Sequence, residues 1–263
     1  MLQNDMIPPP SFHLYPLGAD GSSVVYAEEV QTLPTVLQLN YEATLLAVRL
    51  GLLAQEFRKD ATIAHIADGA HPQQKHYDLK LRQTRVFELQ DALRHLWASP
   101  TIAALFSELS QSDNTPPRSK QLFESAYTLY LACLVYSHTC MWRSQRHDNG
   151  PDWDDEIARA ASQIISTAER IIDAGRMELR FIVFPLFIAG YASADGNQKM
   201  KALDLIQRSE ASSIGGNTLV TRRALQIVYE RQTSQFMSTG HSLGICWKDV
   251  MVEQGLQVVN FGL

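Results

Sequence analysis

The stretch Phe181-Ile182-Val183-Phe184-Pro185-Leu186-Phe187-Ile188-Ala189-Gly190-Tyr191-Ala192 constrains this chain more than any other. It is apolar on every side. A membrane span needs roughly 20 such residues, and this run has 12, with Pro185 inside it. It therefore reads as a buried helix, kinked at Pro185. Such a rod folds in water only if other elements surround it, each with one apolar face. The rest of the chain supplies them.

Val36, Leu39, Ala43, Leu46, Leu50, Leu53 and Phe57 recur at three- and four-residue steps, which predicts a long amphipathic helix from Thr35. Val86, Leu89, Leu93, Leu96 and Trp97 repeat the pattern, after a polar segment from His65 to Asp78 that reads as a loop. Ser99-Pro100 starts a short helix. Asp113-Asn114-Thr115-Pro116-Pro117 reads as a linker, with Ser119 as the cap of a helix carrying Leu122, Phe123, Ala126, Tyr130, Leu134 and His138 on one face and ending near Asn149-Gly150-Pro151. Asp152, Asp154, Asp155 and Glu156 crowd the start of the next helix, where carboxylates complement its dipole. Its buried stripe runs from Ile157 to Ile172, and Gly175 ends it. Asn197 and Asn217 are expected to cap two further helices, and Trp247 to Gln254 makes a short last one closed by Gly255. No segment alternates as a strand does. The fold class is all-α: an arm over residues 1–34, then a single multi-helix globular domain over 35–263, with a linker near 111–118.

Twenty-three Lys and Arg against 28 Asp and Glu give a net charge of -5, and there is no basic run. That balance argues against direct nucleic-acid binding by this chain. The start of the sequence lacks the basic and apolar regions of a signal peptide. Cys133, Cys140 and Cys246 have no paired spacing and read as buried free thiols of a reducing compartment.

Gly240-His241-Ser242-Leu243-Gly244 matches the nucleophile elbow of hydrolases in letters alone. That elbow needs a preceding strand and a later histidine, and the chain supplies neither, so it reads as an interhelical loop. His65, His71 and His76 lie six and five apart, a poor match to metal-ligand spacing. No metal and no cofactor is expected. The better candidate lies on the helix after the linker. Tyr130, His138, Trp142 and Arg143 combine aromatic, ionisable and cationic groups, and His138 and Trp142, four apart, would share a helical face. Such a set suits a pocket for a mostly apolar small molecule with one polar handle; ordinary core packing of the same residues is the alternative.

Three blocks carry a resemblance. They are Phe184 to Gly190; Ile214-Gly215-Gly216-Asn217-Thr218 with Arg222 to Gln232; and the Trp247 helix with the tail Leu256-Gln257-Val258-Val259-Asn260-Phe261-Gly262-Leu263. Together they resemble the regulatory domain of fungal zinc-cluster transcription factors, and the helical pattern of residues 35–175 is similar to the preceding part of that domain. The family's DNA-binding module holds two zinc ions on six cysteines, and this sequence has three. The resemblance implies a helical regulatory domain without its own DNA-binding module, located in the nucleus. It would bind a small effector, protein partners or both, as a homodimer or with related factors. A tail ending where the family ends implies a genuine C-terminus and leaves the native start open. Two alternatives follow from the missing module. One is a helical scaffold redeployed in the cytoplasm as a cyclase or isomerase of fungal secondary metabolism, with His138, Tyr130 or Arg143 as its acid or base. The other is a competitor that dimerises with full-length factors.

Overall fold

The computed structural model describes residues 35–66, 72–111, 117–143, 145–149, 151–175, 181–210, 217–240 and 245–256. These form α1 (Thr35–Ile66), α2 (Pro72–Trp97), α3 (Pro100–Gln111), α4 (Pro117–Thr139), α5 (Gln145–Asn149), a 3-10 turn (Pro151–Trp153), α6 (Asp154–Asp173), α7 (Val183–Ala192), α8 (Gly196–Glu210), α9 (Asn217–Thr239) and α10 (Trp247–Glu253). No strand occurs among the described residues. The all-α expectation holds.

Every residue of α7 is buried, as an all-round apolar helix requires. It packs against α4, α6, α8 and α9, while α4 also packs against α1 and α6. These two helices are the inner rods, and one apolar core runs through α1, α2, α4 and α6 to α10. A smaller cluster, Val36, Leu39, Ala43, Ile102, Phe123 and Ala126, seals the far end between α1, α3 and α4. At Gly190 the packing is close. A Cβ there would lie 2.6 Å from the Tyr229 hydroxyl and 2.9 Å from the Ala202 Cβ, so only glycine lets α7 approach α8 and α9 this closely.

Several local expectations need correction. Pro185 does not kink a helix: α7 begins at Val183, so the proline sits in the first turn, where its missing N–H breaks no helical bond. The polar segment after His65 is not all loop, because α1 runs to Ile66 and α2 starts at Pro72, again a first-turn proline. Likewise α4 begins at Pro117, ahead of Ser119. Asp195, not Asn197, caps α8, its Oδ1 accepting the Asn197 N–H at 2.8 Å.

The largest correction concerns the end of α4, which falls at Thr139, ten residues short of Asn149. Neither glycine nor proline stops it. The buried Gln145 side chain does, since its Oε1 accepts the Met141 N–H at 2.7 Å and its Nε2 donates to the Ser137 carbonyl at 2.6 Å. Both backbone groups are thereby taken out of the helical ladder.

Other expectations hold. Ile157, Ala160, Ala161, Ile164, Ile165, Ala168 and Ile171 are the buried stripe of α6, and Gly175 and Gly255 take the left-handed φ of 62° that ends a helix. Cys133 and Cys140 are buried and Cys246 is partly so, all as free thiols. Among the described residues no helix is long and apolar enough to cross a membrane. The arm over residues 1–34, the segment Asp113 to Pro116, the loop His241 to Gly244, His71, the side chains of His65 and His76, and the tail Gln257 to Leu263 lie outside the described residues.

Candidate functional site

Where α2, α4 and the start of α6 meet, several polar side chains are buried together. His138, in the last turn of α4, is 2% exposed and Gln90 of α2 is 1% exposed. Burial of such groups costs free energy unless each atom finds a partner. The His138 Nε2 lies 2.8 Å from Glu156 Oε2. Its Nδ1 lies 3.3 Å from Gln90 Nε2, which also donates to Ser137 Oγ at 2.9 Å. The Ser137 hydroxyl gives its own proton to the Leu134 carbonyl at 2.7 Å, so it can only accept from Gln90. This chain of donors assigns the histidine proton to Nε2, where it is donated to Glu156, and leaves Nδ1 as an acceptor.

Glu156 also takes the Arg94 guanidinium at 3.1 Å. The His138 hydrogen bond, with the hydrogen bond and charge of Arg94, outweighs desolvation and holds its carboxyl down at about 2. The acidic start of α6 thus does two things. Asp154, Asp155 and Glu156 complement the helix dipole, and Glu156 in addition ties α6 to α2 and α4.

Aromatic rings enclose this network. Trp153 stacks on His138 with centroids 4.8 Å apart, and the Arg94 guanidinium lies 5.8 Å from the same indole. Further along α4, Tyr130 stacks on Trp97 at 4.7 Å and 6°, and Tyr127 stacks beside it and donates to Gln163 Oε1 at 3.0 Å. Desolvation raises the pKa of the Tyr130 hydroxyl, as does the Glu156 charge, so it remains protonated at neutral pH.

Of the four residues singled out from sequence, two meet. His138 and Trp142 both line a crevice with Gln83, Phe87, Gln90 and Trp153. They do not meet through a shared helical face, because α4 ends between them. The bend after Thr139 carries Trp142 back against Phe57, at 6.2 Å edge-on. Tyr130 lies two turns away on the Trp97 stack, and Arg143 points elsewhere, 75% exposed and paired with Asp249 of α10 at 2.9 Å. The free volume of the crevice is about 10 Å³, the size of one water site. The Gln90 Oε1 is buried there and has no protein hydrogen-bond partner.

Gln90, Arg94, Trp153 and Glu156 were not legible as site residues. They lie 48 and 44 residues before His138 and 15 and 18 after it, on other elements, with no motif linking them. Among the described residues no cluster of His, Cys, Asp and Glu could hold a metal ion.

Searches for related curated proteins and for related solved structures return no match. The profile of one family, described as fungal specific transcription factor domain, matches residues 59–261. That span covers α2 to α10 with the last turns of α1, from residue 59, and so includes both the apolar rod and the polar network. The chain belongs to the fungal specific transcription factor domain family.

Proposed function

We propose that this domain is the ligand-responsive part of a nuclear transcriptional regulator, and that its effector is a mostly apolar small molecule whose polar end is seated at the Gln90–His138 crevice. The buried acceptor Gln90 Oε1 carries this reading, because an unpaired acceptor in a core calls for a donor. The effector would bring a hydroxyl or amide N–H to that oxygen and lay its apolar body over Phe87, Trp142 and Trp153 at the rim. With room for about one water, the crevice takes a single polar group and no larger head. Binding there would bear on α2, α4 and α6 together, since Glu156 joins all three. Output would then pass through partner proteins, as a homodimer or with related factors. His138 and Trp142 are the binding residues of this reading; Tyr130 stacks on Trp97 away from the crevice, and Arg143 serves the contact with α10.

The test is a fusion of the full chain to a heterologous DNA-binding module, read by a reporter gene in a fungal nucleus during challenge with a metabolite panel. The proposal expects reporter output to change with a subset of apolar hydroxyl- or amide-bearing compounds, which also raise the melting temperature of the purified chain. A ligand present at 100 times its Kd adds about 2.7 kcal/mol. Constant output and constant melting temperature across the panel would overturn it.

A further inference from the structure

The helix α1 is apolar on two opposite faces. Leu39, Ala43, Leu50, Ala54 and Phe57 form the inner one, buried against α2, α3 and α4. Leu37, Leu45, Val48 and Leu52, with Tyr41 between the first two, recur at helical spacing on the outer one. Leu37 is 37% exposed and Leu52 is 50% exposed, and Leu37, Leu45, Val48 and Leu52 join neither core cluster. A helix on the outside of a bundle normally turns charged and polar groups outward. An outward apolar stripe of this length marks a contact. The stripe also lies ahead of residue 59, where the match to the family begins, so family membership does not account for it.

Charge narrows the choice of occupant. Glu42 accepts from Gln38 at 3.2 Å, and Glu56 is held by Arg85. That leaves Arg49 and Lys59, both exposed and both without a carboxylate partner among the described residues. The face therefore suits an apolar segment that carries acids. The arm ahead of α1, outside the described residues, is such a segment. Residues 1–34 contain Asp5, Asp20, Glu28 and Glu29 and no lysine or arginine, and Val24-Val25-Tyr26-Ala27-Glu28-Glu29-Val30 is apolar and acidic at once. Its reach fits as well. From Leu37 to Leu52 the helix rises about 22 Å, which about seven extended residues span. Only residues 31–34 separate this segment from the Leu37 end of the stripe. A proline disfavours helix in the residue before it, so the Leu33-Pro34 step favours a reversal over a longer α1. Tethering supplies an effective concentration on the order of mM, which a separate partner would have to exceed.

We infer that the outer face of α1 is the seat of residues 24–30 of the same chain, which lie along it as a strap. Their apolar side chains cover the stripe from Leu37 to Leu52, and the carboxylates of the arm lie in the field of Arg49 and Lys59. The inference is separate from the Gln90 crevice, and either can fail without the other.

The experiment puts the photo-cross-linker p-benzoylphenylalanine in place of Tyr26 in the full chain. The protein is irradiated at concentrations from about 1 to about 100 µM, and the linked peptides are mapped by mass spectrometry. Most product is expected to join position 26 to α1 between Leu37 and Leu52 within one chain, in a yield independent of concentration. Leu52→Asp, at a side chain already half exposed, and Val24→Asp, in the arm itself, should each lower that yield at least about fivefold. Arg49→Glu should lower it too, by a factor that shrinks in about 1 M salt. Cross-links that join two chains and grow with concentration would assign the face to a second copy and overturn the inference. So would product scattered over other elements, or a yield that Leu52→Asp and Val24→Asp leave unchanged.

Discussion

The α7 rod and the His138 network lie on two sides of α4 and are built on opposite principles. Around α7 most contacts are apolar and interchangeable in kind, with polar partners gathered at its C-terminal end, where Gln232 and Arg146 donate to the Tyr191 and Ala192 carbonyls. Stability there comes from area removed from water and from close packing. Around His138 the polar atoms are held by named partners, Gln90 Oε1 excepted, and one substitution strands a neighbour. The first arrangement tolerates chemistry and punishes changes of volume. The second does the reverse. The first makes a rigid frame; the second leaves one buried acceptor, Gln90 Oε1, without a protein donor.

That contrast can be broken most severely at Phe187. Fully buried and edge-on to Trp247, it should cost about 3–5 kcal/mol on truncation to alanine, read as the midpoint of urea unfolding. Next comes Gly190→Ala, which adds one methyl where the Tyr229 hydroxyl and Ala202 stand closest. Overpacking of this kind costs about 1–3 kcal/mol, so a neutral or stabilised variant would show that α7 is less tightly held than described. These two rank the frame by volume alone.

On the polar side the sharpest handle is pH. The folded carboxyl of Glu156 is held at about 2, below its ordinary value of 4.5. A depressed carboxylate contributes stability that is fully present above about 4.5 and is lost as pH falls toward about 2. The whole shift would correspond to roughly 3 kcal/mol. Glu156 is partly solvated, with 29% of its side chain exposed, and screening reduces the expected contribution to about 1–2 kcal/mol. Glu156→Gln should therefore lose stability at neutral pH and flatten the acid limb between pH 4.5 and about 2; an unchanged acid limb would remove Glu156 from the network. The smallest effect is expected from Arg143→Ala, since an exposed ion pair contributes about 0–1 kcal/mol. Its thermal midpoint should match wild type, and a drop of several degrees would mean that the α10 contact is structural.

The same contrast explains what could be read in the sequence. The α7 rod, the stripe from Ile157 to Ile171 and the glycine stops at Gly175 and Gly255 have local signatures: periodicity, or a left-handed φ that glycine adopts at no steric cost. The all-α fold followed from them. Hydrogen bonds between elements have no such period. Gln145 ends α4 through a side-chain amide eight residues beyond Ser137, and no composition rule marks that glutamine. The misplaced helix end in turn placed Trp142 and Arg143 on the α4 helix with His138. His138 itself was found by residue type, and its partners Gln90, Arg94 and Glu156 became visible only when three helices were brought together.

The most direct test of this account compares His138→Gln with Phe187→Ala in the reporter fusion, with output normalised to the amount of folded protein. His138→Gln should retain a cooperative fold and lose the response to any active compound, whereas Phe187→Ala should respond normally in whatever fraction remains folded. A His138→Gln variant that responds like wild type would contradict the claim that the polar network, and not the apolar frame, is where this domain senses its effector.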